Sequence, residues 1–166
     1  MTKDQALETV EKLFRLDDGD DFDVVQMRDG LRATRHWLIY LVLAASSGHD
    51  YWDVQAKEIL DGVIISVQVN RNAQAVTPMP TTGGNWTATT GAMAGAPIDG
   101  TAIYDVFFAR LDYLLGKRKH WMTCKQSDER VKKGIVWGAN NEICNSFNVA
   151  DKNPEHPELN VQALQP

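Results

Sequence analysis

Residues 63–100 read VIISVQVNRNAQAVTPMPTTGGNWTATTGAMAGAPIDG, and the way this run is divided decides the fold. Its opening is ambiguous. Val63, Ile65, Val67 and Val69 alternate with Ser66, Gln68 and Asn70 as in a strand, while Ile59, Val63 and Val67 recur at the four-residue spacing of a helix. The helical reading, continued to about Asn70, is adopted because the segments on either side also carry helical spacing. From Asn70 to Gly100 there is almost no large aliphatic residue, and no charge lies between Arg71 and Asp99. Loops longer than about 15 residues are uncommon in compact domains unless they have a function or are disordered. The stretch is therefore expected to be an inserted arm over 71–98, with room for short β segments. Trp86, Thr87 and Met79 are its candidate contacts on a neighbouring subunit.

Working outward, Thr2 to Leu16 predicts a helix, with Ala6, Leu7, Val10, Leu13, Phe14 and Leu16 at helical spacing and Glu8, Glu11, Lys12 and Arg15 interleaved. A second helix is predicted from about Phe22 to Ser46, with Val24, Met27, Leu31, Leu38 and Ala45 on one side. In it Arg28, Arg32 and Arg35 would form a basic stripe. A third helix is predicted to start at an Asp50 N-cap and to bury Trp52, Ala56, Ile59, Leu60 and Val63. After the arm, Asp99 is expected to cap a fourth helix containing Ile103, Phe107, Leu111 and Leu114, ended by Gly116. A fifth is expected from Ser127, with Asp128 and Glu129 in its first turn. The tail from Ala150 contains Pro154 and Pro157 and reads as extended. The expected fold is thus mainly α: a compact bundle of about five helices over residues 1–149, with the inserted arm and an extended tail over 150–166.

Charge is modest in sum and uneven along the chain. The net charge is -5, too small to imply a nucleic-acid or membrane partner. Acids crowd the first thirty residues, notably Asp17, Asp18, Asp20, Asp21 and Asp23. Bases gather later, at Lys117, Arg118, Lys119, Lys125, Arg130, Lys132 and Lys133. The polarity suits head-to-tail self-association, and the basic segment 117–133, with His120 and Trp121 interleaved, also has the composition of a nucleic-acid contact. The most apolar run, Trp37 to Ala45, is far short of the ~20 residues that span a bilayer. Met1 leads into polar residues rather than a signal peptide, so a cytoplasmic or virion location is expected, and Cys124 and Cys144 are expected to be free thiols.

Motifs for chemistry are weak. The acidic run Asp17 to Asp23 lacks the spacing of an EF-hand. His120, Cys124, Cys144 and His156 are zinc-ligand types without a close Cys pair. The TTGG at Thr81 to Gly84 lacks the Lys-Ser/Thr ending of a phosphate loop, and Asn85-Trp86-Thr87 is a glycosylation sequon in form alone. His49-Asp50 resembles the dipeptide of the helical metal-dependent phosphohydrolases, with His36 and Asp105 as the available further ligands. No nucleophile, cofactor motif or small-molecule site can be assigned. The expected function is non-enzymatic: a structural subunit of a symmetric homo-oligomer among neighbouring assembly proteins, such as a virion head-to-tail connector. A small nucleic-acid-binding or regulatory protein using 117–133, with contact to DNA, is the alternative, and a hydrolase built on His49 and Asp50 a more distant one.

Overall fold

A long antiparallel sheet organises the chain. The computed structural model describes residues 1–16, 22–41, 44–84, 86–140 and 143–144. Helix α1 (Lys3–Leu16) is followed by strands β1 (Phe22–Met27), β2 (Gly30–Leu41), β3 (Ala44–Ile59), β4 (Gly62–Pro80) and β5 (Trp86–Pro97), then by helices α2 (Thr101–Leu114) and α3 (Cys124–Lys132). The strands form a meander in the order β1-β2-β3-β4-β5, with every neighbour antiparallel.

The expected helical bundle is overturned. The segments read as second and third helices are β1 to β4, and the supposed arm is the end of β4 paired with β5. The physical reason lies in period two. Along β3, Asp50, Trp52, Val54 and Ala56 are buried, whereas Tyr51, Asp53, Gln55 and Lys57 between them are half-buried or exposed. Residues four apart satisfy both a helix and a strand, but Val54, two residues from Trp52 and from Ala56, satisfies only the strand. Tight turns reinforce the result: Met27 pairs with Gly30 across Arg28-Asp29, and Ile59 with Gly62 across Leu60-Asp61. Asp and Gly at these points are ordinary hairpin punctuation.

The helices fall close to where their spacing predicts them, with different caps. Gly100, not Asp99, occupies the N-cap of α2. Helix α3 starts three residues before the expected Ser127, because Thr123 accepts from Gln126 N and the Gln126 side chain accepts from Thr123 N, a complete capping box.

One face of the sheet packs against α1 and α2. Ala6, Leu7, Val10, Leu13 and Phe14 of α1 and Ile103, Val106 and Phe107 of α2 meet Leu31, Ala33, Trp52, Val54, Ala56 and Val69 of the strands. Phe14 stands at the centre, its ring 5.0 Å from Phe22, 5.5 Å from Trp52 and 5.8 Å from Phe107. Each such pair contributes about 0.5–1.5 kcal/mol beyond area burial. The cluster therefore fixes how α1, α2 and the sheet meet.

Glu11 ties α1 to β1. Its carboxylate accepts from Arg15 Nε and Nη2 at 2.9 and 2.7 Å and from Gln26 Nε2 at 2.6 Å. The Arg15 hydrogen bonds first, and that of Gln26 second, hold its pKa below the usual carboxylate range. A depressed folded-state pKa contributes stability above the unfolded value, and that stability is lost as pH falls through the folded value. Glu11→Gln is expected to flatten the fall in urea midpoint between about pH 5 and pH 3. An unchanged acid limb in the variant would rule out this contribution.

The sheet outruns its helices. Strand β4 has 19 residues and is ~60 Å long at ~3.3 Å per residue. Helices α1 and α2, each of 14 residues, reach ~21 Å at ~1.5 Å per residue. Among the described residues of β4 the last fully buried side chain is Val69, and Gln74 to Thr77 are exposed.

Candidate interaction surface

At the border between the covered and uncovered parts of the sheet sits a paired charge. Asp50 is 1% exposed. Its carboxylate takes a two-pronged contact from Arg71, Nε at 2.7 Å and Nη2 at 3.0 Å, and accepts from Trp37 Nε1 at 3.2 Å. The Arg71 guanidinium also lies over the Trp37 ring, 5.2 Å from its centroid. Strand register assembles this group, since Asp50 stands opposite both Arg35 on β2 and Arg71 on β4.

Trp37 itself lies across Gly48, its partner in the β2–β3 register. A Cβ on Gly48 would come within 2.2 Å of the Asn72 carbonyl oxygen and 2.5 Å of the Trp37 ring. The aromatic ring fills the space that the missing side chain leaves. Gly48→Ala is therefore expected to destabilise the protein by about 2–3 kcal/mol, through overpacking against backbone that cannot yield. Urea denaturation measures this, and a loss under ~0.5 kcal/mol would contradict the packing described.

Past this border the sheet continues as β4 and β5. A bulge interrupts their pairing: Arg71 pairs with Ala96 and Ala73 with Met93, so Ala94 and Gly95 together face Asn72. The Asn72 side-chain oxygen accepts from Gly95 N. Gly95 has φ 58°, a left-handed conformation that glycine adopts without steric cost. Beyond the bulge the register runs through Gln74↔Ala92, Val76↔Thr90 and Thr77↔Thr89 to Met79↔Thr87 and Pro80↔Trp86.

Among the described residues strand β5 is an edge of the sheet. Its 12 residues, WTATTGAMAGAP, carry no charge, and Thr87, Thr90, Gly91 and Ala92 are exposed. The opposite edge, β1, has only 6 residues, with Asp23 within it and Arg28 and Asp29 at its end. An open edge offers a row of main-chain donors and acceptors to another chain, and proteins usually blunt it by shortness, charge or proline. The edge at β1 is blunted in this way. The edge at β5 has only the terminal Pro97.

The residues singled out from the sequence fall in several places. Met79, Trp86 and Thr87 come together at the far end of the β4–β5 hairpin, around the Thr81–Gly84 turn. The expected basic stripe does not form, because strand alternation sends Arg32 and Arg35 to opposite faces. Arg32 makes a two-pronged pair with Asp53 at 2.6 and 3.0 Å on the open face, Arg35 is buried beside Phe22, and Arg28 lies in the β1–β2 turn. Lys117, Arg118 and Lys119 are exposed after α2. Arg118 and Lys119 border a groove of about 430 Å³, together with His120, Gln126, Glu129, Arg130 and Lys133. One of its cations, Arg130, is paired to Asp105 at 2.8 and 3.1 Å.

The same alternation separates His49 from Asp50. His49 is exposed on the open face, where its ring lies 4.8 Å from that of His36, whereas Asp50 is buried on the other face and committed to Arg71. Asp105 belongs to the α2–α3 pair. The phosphohydrolase arrangement is thus not assembled. Among the described residues no three His, Cys, Asp or Glu side chains group as a metal site.

The free-thiol expectation is corrected as well: Cys124 and Cys144 are joined in a disulfide, which removes both from the zinc set. His156, Asp17 to Asp21 and Asn85 lie outside the described residues. The sequence reading missed the β5 edge, the Asp50–Arg71–Trp37 group and the Arg110 contact with the disulfide. Two of the signals were visible: a charge-free run next to an alternating one, and two Asp-Gly turns. Comparison with protein-family models, curated proteins and solved structures finds no match for the chain.

Proposed function

We propose that the protein is a non-enzymatic structural subunit that joins copies of itself into a symmetric assembly by strand addition at β5. The observation that carries this reading is the charge-free edge strand, Trp86–Pro97, on a part of the sheet that extends past the helices. Strand addition draws its affinity from main-chain hydrogen bonds and its specificity from alternate side chains. A run rich in Thr, Ala and Gly lets two backbones approach closely without bulky or charged obstruction. Identical strands meeting antiparallel about a two-fold axis give a self-complementary contact.

Magnitudes shape the proposal. A net hydrogen bond contributes about 1 kcal/mol, so roughly ten across a strand pair give ~10 kcal/mol. Association costs about 4–15 kcal/mol. Edge pairing by itself is near balance, and contacts of the exposed Thr87, Thr90 and Ala92 side chains are assigned the remainder. Light scattering and sedimentation of the full chain test the reading: a discrete oligomer is expected, and a monomer persisting at high concentration would overturn it.

A further inference from the structure

We propose that Cys124 and Cys144 form a redox-active pair that undergoes exchange with small-molecule or protein thiols, with Cys124 as the more stabilised thiolate of the reduced form. Two independent features of the site point to this. Cys124 is the first residue of α3, directly after the Thr123 N-cap, where the N–H groups of the first turn and the helix dipole favour a negative sulfur. The Arg110 side chain is wholly buried against the same sulfur, with Nη2 3.2 Å from Cys124 Sγ and 4.0 Å from Cys144 Sγ.

The guanidinium is held there. Arg110 Nε donates to the Met122 carbonyl oxygen at 3.0 Å, and the group stacks on Trp121, 4.7 Å from the ring centroid. After reduction the guanidinium faces a thiolate at Cys124, which its charge and hydrogen bond stabilise. Thiols placed beside Arg or at helix N-termini lose their proton well below the ordinary value of about 8.5. Stabilising the Cys124 thiolate of the reduced form makes the disulfide easier to reduce than a purely structural one.

Access follows the same asymmetry. Cys124 is partly exposed, whereas Cys144 is 5% exposed. In the exchange, an external thiolate attacks Cys124 Sγ, the S–S bond to Cys144 breaks, and Cys144 leaves as a thiolate. A second external thiolate then attacks the external sulfur of the mixed disulfide and releases Cys124 as the thiolate beside Arg110. The protein disulfide gains two electrons, and the two external thiolates are oxidised to one disulfide.

The experiment uses the full oxidised chain and glutathione as the probe. The protein is equilibrated across a series of reduced to oxidised glutathione ratios, and free thiols are counted by alkylation and mass spectrometry. Half-reduction within that series is expected. In the reduced protein, the rate of Cys124 alkylation by iodoacetamide is expected to reach its plateau by about pH 7. Arg110→Gln is expected to slow alkylation at pH 5, well below the plateau, by about tenfold, the equivalent of one pKa unit. If that variant fails to fold, Cys144→Ser reports the same Cys124 pH profile with Arg110 in place. A pair that stays oxidised in a large excess of reduced glutathione, or a Cys124 that alkylates only above about pH 8 in both the reduced wild type and Cys144→Ser, would overturn the proposal.

Discussion

Thr90→Lys combined with Ala92→Lys is expected to convert the assembled protein to monomers while leaving its unfolding midpoint nearly unchanged. Both residues are exposed on β5, opposite Val76 and Gln74 in the β4–β5 register. Neither contributes to the buried cluster of the sheet and helices, so the folded monomer should lose no more than about 0.5 kcal/mol. In an antiparallel strand pair whose two-fold axis passes near Gly91, the lysine at 90 of one copy faces the lysine at 92 of the other. Like charges placed so cost several kcal/mol, which exceeds the narrow surplus left after association costs are met. Charge on an edge is also the device by which natural sheets avoid such pairing. Light scattering should show the mass of one chain, and a lysine at the exposed Val25 of the short edge strand β1 should leave the oligomer intact. Unchanged mass in the β5 variant would exclude this edge as the interface.

Asp50→Ala is expected to be the most destabilising single substitution among the polar residues, at about 3 kcal/mol. The carboxylate is almost fully buried and serves both Arg71 and Trp37. Alanine would remove the carboxylate acceptor of the guanidinium and of the indole N–H at the edge of the core, and hydrogen bonds to a charged group are among the stronger ones. The Arg71 side chain retains 30% exposure, and water can reach it, which places the effect at the lower end of the range for broken buried pairs. At ~2–4 °C per kcal/mol for a chain of this size, the midpoint should fall by about 6–12 °C. Asp50→Asn, which keeps one oxygen, should lose less. A double-mutant cycle with Arg71→Met should show coupling of at least ~1 kcal/mol. A fall under ~0.5 kcal/mol for Asp50→Ala would mean that the pair contributes no stability.

Both expectations depend on strand geometry that the sequence presents ambiguously. Trp52, Ala56 and Leu60, or Ile59, Val63 and Val67, lie four apart and fit either regular structure. The decisive residues are those two apart, such as Val54 between Trp52 and Ala56, together with Asp-Gly at 29–30 and 61–62. Long amphipathic strands with charges at the right intervals imitate helices because four residues equal two strand repeats and nearly one helical turn. Helices α1 and α2 were legible because their apolar residues also recur at three-residue steps, as in Val10, Leu13 and Phe14, or Ile103, Val106 and Phe107, and α3 by Asp128 and Glu129 near its start. The candidate surface was half legible. The charge-free run 72–98 stood out by composition, but only the pairing of its second part, β5, with the end of β4 turns it from an arm into an edge.

The Asp-Gly pairs at 29–30 and 61–62 read through as helix, but the sequence by itself determined the approximate places of α1, α2 and α3 and the neutrality of the segment ending at Pro97. These depend on neighbours in the chain, where capping, periodicity and composition act locally. Only the tertiary structure decided that His49 and Asp50 face opposite ways, that Asp50 meets Arg71, and that Arg110 lies against the Cys124–Cys144 disulfide. Those contacts join residues far apart in sequence, and their energies depend on burial and register, which exist only once the sheet is paired and covered.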